Sequence, residues 1–427
     1  KKYSLVNKMR AEGFDTKELY DETLTDPRDV TTMLDKFNNY TLNEMLDVYA
    51  GKLAILKQDF GKAEGILETK AGDFLEGLLE KFEETPDVGL PLVSPKMTTI
   101  FRGRRLGKFY IESAASGMGK TRRMAGEACK VAVPWIYDLK KKKWTSKNGA
   151  KEPTLYISTE LSPEECETMF GAYIAGVPED LILNGQCTED QKKRLLQAAK
   201  YLKECNLYFV QMTDFDVNDV ENVIRKYNYI NGVNYVFFDY LSTSPKILSE
   251  GARTTRMGSL REDQVLLMFA QRMKDLCTIL NIHIQTATQL NGEWKQAKEA
   301  DQNLLRGAKS IADKTDAGAI LMPIREWDKQ IIDSWRQKGE SGFCPQPNMV
   351  IHVYKVRQNK FNNIRVYVYF DKSTCRMEDC FVADYSGDLL DIKDTNINII
   401  FDKTASNKLL GVDEELEAME EEGRFTF

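Results

Sequence analysis

Between residues 109 and 132 the chain runs from an apolar strand-like stretch, "FYIESA", through a run of small residues, "ASGMGKT", into the helix-like "RRMAGEACKVA". Ala114-Ala115-Ser116-Gly117-Met118-Gly119-Lys120-Thr121 fits the pattern [AG]-x-x-x-x-G-K-[ST], in the strand-to-helix context that the pattern requires. Loops with few side chains let backbone N–H groups point at one centre, and the following helix N-terminus adds positive potential there, so such a loop cradles phosphate. Ser116, Gly117, Met118, Gly119, Lys120 and Thr121 are therefore the candidate polyphosphate-binding residues. Lys120 reaches the β- and γ-phosphates of a nucleoside triphosphate, and the Thr121 hydroxyl is a Mg²⁺ ligand. The competing reading is a small-residue turn with an exposed lysine.

A phosphate loop sets expectations for the rest of the chain. Short β-rich runs, "KFYIESA" (108–114), "TLYISTE" (154–160), "LYFVQM" (207–212), "NYVFFDYL" (234–241), "IHIQTATQL" (282–290) and "GAILMP" (318–323), mostly alternate with helical stretches. Runs apolar on both faces belong to parallel strands covered by helices, which predicts an α/β domain over 87–400. "NMVIHVYKV" (348–356) and "IRVYVYFD" (364–371) largely alternate around Asn362-Asn363 and predict an antiparallel hairpin at the sheet edge. Residues 1–86 read as a helical region with Thr41 and Asp73 as N-caps, followed by the Pro/Gly linker "DVGLPLVSPKM". Residues 401–427 form an acidic tail.

Within this frame other side chains become candidates. Asp239 ends the apolar run "YVFFD", where it would hold the metal opposite Thr121; a strand-terminal Asp is otherwise a turn former. Glu160 ends "YISTE", in the crevice where open α/β sheets bind ligands, and would polarise an attacking water; otherwise it is an acid ahead of a helix cap. Gln289, ending "TATQ", would sense a γ-phosphate or is a satisfied polar strand end. Lys355 and Arg357 project beyond a strand, which suits a subunit interface, or they are edge charges that discourage strand pairing.

The cysteines number eight without C-x-x-C pairs and the histidines two, which argues against a zinc ribbon and fits a reducing compartment. No run reaches about 18 apolar residues and no signal peptide is recognisable, so the expected location is cytoplasmic, with no membrane partner. The first residue is Lys1, which fits a piece of a longer chain. The net charge of −6 argues mildly against a general nucleic-acid coat, but seven carboxylates between Asp413 and Glu422 carry most of it. A basic interior surface remains open.

The ordered set "ASGMGKT", "YISTELS", "VFFDYLS", "TATQL", "LRGAKSIADKTDAGAIL" and "YKVRQNKF" resembles the helicase domain of DnaB-type replicative helicases. The resemblance implies a RecA-like fold, a homo-hexameric ring, ATP and Mg²⁺ as cofactors, and translocation 5′ to 3′ on single-stranded DNA with unwinding of duplex. It implies a bacterial or phage-infected cell, and a phage-encoded member is in view. By resemblance Lys120 and Thr121 are the phosphate-loop pair, Glu160 the catalytic glutamate, Asp239 the Walker B aspartate and Gln289 the phosphate sensor. Lys355 and Arg357 resemble the basic pair inserted into the neighbouring subunit's ATP site, where a trans arginine is worth about 10³–10⁵ in rate.

Arg306 is in register with the DNA-gripping segment, but Gly307-Ala308-Lys309 replace the family's Glu-Ser-Gly. Arg306 and Lys309, with Lys246, Arg253, Arg256 and Arg261 on 242–261 and Lys295 and Lys298 on 291–309, are candidate DNA contacts lining a channel, or solvated loop charges. Trp294 would stack on a base or is packed. Residues 66–82 resemble the linker helix that docks on an adjacent subunit. The tail, ending on Phe425 and Phe427, is solubilising or resembles tails that dock on replication partners; polymerase, primase or loader contacts would use it or the N-terminal region. Two other functions share the fold: a recombinase filament, and a nucleotide-regulated loader or scaffold.

Overall fold

A computed structural model describes residues 1–11, 14–42, 44–46, 70–84, 87–146, 148–242, 244, 246–247, 262–297, 299–305, 309–338, 344–357 and 359–392. The chain divides into two compact units, Lys1–Asp73 and Phe74–Phe427.

In the first unit, α1 (Lys2–Ala11) and α2 (Pro27–Asn39) gather Val6, Leu19, Phe37 and Met45 into a small core. Asp26 caps α2 by accepting from Arg28 N–H, and Pro27 sits where a missing N–H costs nothing. Thr41 caps the next turn reciprocally with Glu44, as its residue type predicts. Asp73 instead accepts from Lys70 N–H.

The second unit opens with α3 (Leu75–Glu84) and α4 (Pro95–Phe101), then alternates. In order come β1 (Phe109–Ala114), α5 (Lys120–Ala132), the small pair β2 (Ile136–Asp138) and β3 (Lys143–Thr145), β4 (Thr154–Ser158), α6 (Pro163–Ala175), α7 (Glu179–Leu183), α8 (Glu189–Lys203) and β5 (Leu207–Gln211). There follow α9 (Val217–Asn231), β6 (Tyr235–Asp239), α10 (Glu262–Leu280), β7 (His283–Thr286), α11 (Lys309–Lys314), β8 (Ala317–Pro323), α12 (Glu326–Gln337), β9 (Met349–Val356), β10 (Ile364–Asp371) and β11 (Arg376–Asp384).

Among the described residues nine strands form one sheet, ordered β11-β10-β9-β8-β1-β7-β6-β4-β5. β1, β4, β5, β6, β7 and β8 are parallel, and β9, β10 and β11 are antiparallel. Alternation sorts the two faces: Tyr156 and Phe237 pack with Met124, Ala128, Phe170 and Tyr173 of α5 and α6. Leu155, Ile157, Val236 and Phe238 pack with Ile224, Leu266, Phe269 and Met273 of α9 and α10. Both faces are dry, which is why these strands read as continuous apolar runs.

The antiparallel hairpin of β9 and β10 forms in the edge region of the sheet, turning through Asn363 in the left-handed region (φ 58°), and β11 adds one more antiparallel strand. Two expectations need correcting. β11 lies outside β10, so Lys355 stands on a strand flanked on both sides and is no edge charge. β11 escapes the sequence pattern because "RMEDCFVAD" carries polar residues with distant partners: Arg376 donates to Tyr173 O and Asp379 accepts from Lys96 N–H. β7 ends at Thr286, well short of Gln289.

Candidate nucleotide-binding site

The carboxyl ends of the parallel strands share one edge of the sheet, and β1 hands over there to α5 through Ala115–Gly119. Gly117 and Gly119 take the left-handed region (φ 75° and 94°), which glycine adopts without cost. Gly119 is also the residue before α5, and a Cβ on it would lie 2.6 Å from the Phe370 ring. It brings no side-chain acceptor to the first turn of α5, leaving that turn's N–H groups directed outward for an anion. Lys372, on the turn after β10, donates to Gly117 O at 3.1 Å.

Lys120, first residue of α5, lies inside this rim. Its Nζ is 3.8 Å from Asp239 Oδ1 and 3.0 Å from the centroid of the Tyr240 ring. Burial pushes the ammonium down to about 8, against the pull of Asp239 and Glu160. Asp239 ends β6 beside Ser158 of β4, and its Oδ2 accepts from the Tyr156 hydroxyl at 3.2 Å. Burial raises its pKa, while Lys120, the Thr121 hydroxyl and Tyr156 favour the carboxylate. Among the described residues Oδ1 is buried with no hydrogen-bond partner. A hard oxygen of this kind beside a threonine hydroxyl fits Mg²⁺, which takes one or two protein oxygens and completes its shell with water and phosphate.

Glu160 follows β4, and its Oε1 accepts from the Tyr240 hydroxyl at 2.8 Å. The same hydroxyl accepts from Gln289 Nε2 at 2.8 Å. Gln289 is beyond β7 yet sits beside the start of the phosphate loop, because its backbone bridges Ala114 in parallel and Thr288 hydrogen-bonds Ser113 through their hydroxyls at 2.9 Å. Lys120, Asp239, Glu160 and Gln289 thus surround one residue, Tyr240, that no sequence motif singles out. Its one signal in the chain is its place directly after Asp239 in "FFDYL".

Lys355 and Arg357 are elsewhere. β9 runs against β8, pairing Val356 with Ala317, which pairs in turn with Tyr110 at the beginning of β1. The two cations therefore lie at the opposite edge of the sheet from the phosphate loop. Lys355 Nζ donates to Ala312 O (2.6 Å) and Asp313 O (3.2 Å), at the end of α11. Arg357 donates to Asp313 O (2.7 Å), and its Nη1 is 3.6 Å from Asp316.

Of the candidate DNA contacts, Arg253, Arg256, Arg261, Lys298 and Arg306 lie outside the described residues, as does the tail. Lys246 is engaged within the chain, its Nζ 3.0 Å from Asp216 Oδ2 and bonded to Asp219; these carboxylates raise its pKa. These contacts brace it against the start of α9. Lys295 is exposed at the end of a 3-10 turn, and Lys309 opens α11. A bridge between Leu290 and Leu305 closes the intervening loop. Trp294 packs in that loop, half-buried, with Arg325 over its ring at 5.5 Å.

Residues 89–379 match the DnaB-like helicase C terminal domain. The chain is 39% identical over 401 residues to the SPbeta prophage-derived uncharacterized protein YorI of Bacillus subtilis (strain 168), covering 93% of this chain and 79% of that protein. Its fold is similar to a separately solved ATPase domain (TM-score 0.54, 16% identity, 72% of this chain and 99% of that one). It is also similar to a DnaB-like replicative helicase solved in a study of its interactions with primase (TM-score 0.55, 14% identity, 83% of this chain and 80% of that one).

Proposed function

The chain belongs to the DnaB-like helicase family, and from that premise we propose that it is an ATP-driven, ring-forming motor that moves along single-stranded DNA and unwinds duplex. The observation that carries this reading is the convergence of Lys120, Asp239, Glu160 and Gln289 on one edge of the sheet, with Lys355 and Arg357 at the other. A site split between opposite edges is completed only when a neighbour's far edge meets this phosphate loop. Head-to-tail contacts of that kind close into a ring when the rotation between neighbours closes, and run on as a filament when it does not.

In the working site the first turn of α5 and Lys120 hold the triphosphate, and Lys120 leaves the Tyr240 ring to do so. Thr121 and Asp239 would hold a Mg²⁺, which when bound would screen the phosphate charge. Glu160 accepts the proton of the attacking water, Gln289 hydrogen-bonds the γ-phosphate, and the neighbour's Arg357 and Lys355 neutralise charge that grows in the transition state. The exposed apolar residues of α3, Leu75, Leu79 and Phe82, with Phe74 just before it, support docking on an adjacent copy. Lys295, Lys309 and Arg306, with Arg253 and Arg256, would contact the strand in the channel.

The experiment is strand displacement on a forked substrate with ATP, alongside hydrolysis with and without single-stranded DNA. Displacement, hydrolysis stimulated by the strand, and loss of both in Lys120→Ala are expected. Hydrolysis without displacement on any fork polarity would replace the motor with a nucleotide-regulated loader; an open filament on DNA by electron microscopy would replace it with a recombinase.

A further inference from the structure

The site contains a side chain whose hydroxyl the functional reading leaves without a role. Tyr240 is 9% exposed, follows the candidate metal ligand and is fixed on its far side by Leu241 N–H donating to Ala287 O at 3.0 Å. Its backbone is thus pinned between β6 and the continuation of β7. The phenol then meets three candidate catalytic groups: the hydroxyl donates to Glu160 Oε1 and accepts from Gln289 Nε2, both at 2.8 Å, and the ring face lies 3.0 Å from Lys120 Nζ.

The direction of this chain is dictated by chemistry. A carboxylate only accepts and an ammonium or amide N–H only donates, so a group between Gln289 Nε2 and Glu160 Oε1 must do both. A phenol does so with one proton, and the two bonds, Gln289 N–H to Tyr240 oxygen and Tyr240 O–H to Glu160, polarise each other in the same sense. Phenylalanine preserves the ring beneath Lys120 but cannot carry either bond. Serine or threonine would lack the ring and the reach.

Resting on the ATPase reading above, we infer that Tyr240 is a positioning residue that ties the orientation of Glu160 to that of Gln289. When Gln289 turns toward a γ-phosphate, the shared hydroxyl is the part that registers it, and Glu160 is held in place accordingly. The ring acts separately, carrying the Lys120 ammonium until phosphate takes it.

The hydroxyl and the ring separate by substitution. Hydrogen bonds to a charged partner have a worth that corresponds to about 10–100-fold in rate. Tyr240→Phe is therefore expected to lower kcat for DNA-stimulated ATP hydrolysis by about 10–100-fold, with KM for ATP and affinity for a fluorescent, non-hydrolysable ATP analogue within about twofold of wild type. Preserved affinity is also the proof of folding. Tyr240→Ala also removes the ring contact that Lys120 gives up to phosphate, so it should bind the analogue no more weakly than Tyr240→Phe. In a double-mutant cycle Tyr240→Phe with Gln289→Ala should fall no further than the lower single variant, because both cut the same connection. Wild-type kcat in Tyr240→Phe, or fully additive losses in the cycle, overturns the assignment. Failure of the ATPase reading looks different: the wild type would not hydrolyse ATP, and Lys120→Ala would bind the analogue normally.

Discussion

Arg357 offers the most discriminating test, because the fold places it out of reach of its own phosphate loop. From Val356 the register leads through Ala317 to Tyr110, and the loop begins only after Ala114. Five residues along the strand direction at about 3.3 Å, and two strands across at about 4.8 Å, put Arg357 about 19 Å from the end of β1. Its guanidinium also points to Asp313 and Asp316. Arg357→Ala is thus expected to lose about 10³–10⁵ in hydrolysis only through the neighbour's site, and Glu160→Gln about 10²–10⁴ through its own. When the two inactive proteins are co-assembled at equal amounts, an interface works if an Arg357→Ala protomer supplies Glu160 and its neighbour supplies Arg357. Random placement gives each condition one chance in two, so about a quarter of interfaces recover. Steady-state hydrolysis plotted against mixing fraction f should follow f(1−f), peaking at equal amounts and vanishing at both ends. A flat line at background, with native mass spectrometry showing mixed rings, refutes the shared site.

Gly119→Ala places a Cβ 2.6 Å from the Phe370 ring at a φ of +94°, so binding of the fluorescent ATP analogue should weaken more than tenfold; unchanged binding would mean the loop is not the site. Glu127→Gln removes the charge that meets Arg104 and Arg123 in the buried layer behind the loop and accepts from Val93 N–H, and should cost about 3–5 kcal/mol by urea unfolding; a loss under about 1 kcal/mol rejects the network as a stability element. His352 is held neutral by burial down to about 3, so below about 6.5 only the unfolded chain gains its proton and stability falls with falling pH, by about 2 kcal/mol between pH 7 and 5. His352→Gln should flatten the urea midpoint against pH by that amount, and an unchanged slope removes the histidine as the cause.

What can be read from the chain alone follows from how local each feature is. The phosphate loop needs one strand, one turn and one helix, all within residues 109–132, and its glycines and Lys120 stand where the pattern requires them. Asp239, ending β6, and Glu160, two residues past β4, are legible because parallel strands deliver their carboxyl ends to one edge, so an acid at or just beyond a strand end is placed by topology. Tyr240 is not legible, since its meaning comes from Glu160, Gln289 and Lys120 arriving from three elements far apart in sequence. β11 is hidden because its polar residues are satisfied by α4 and α6 instead of by water. The ion pairs of Lys246 are likewise out of sight in the sequence, where it is one of several loop cations and nothing marks Asp216 and Asp219 as its partners.

The same topology suggests how hydrolysis would be felt by DNA. Lys355 and Arg357 rest on the last carbonyls of α11, and Lys309, opening α11, directly follows the segment that contains Arg306. A helix of six residues is about 9 Å long and stiff, so a shift of the basic pair toward a neighbour's triphosphate must be carried to its other end or must break those hydrogen bonds. In the proposed motor the DNA-facing segment of one protomer would then move with the nucleotide state of the next, without any signal crossing its own nine-stranded sheet. In the proposed motor the nucleotide on Lys120 of one subunit would govern the α11 of the subunit that lends it Arg357, and loss of Asp316, which backs Arg357, should slow DNA-stimulated hydrolysis more than the basal rate.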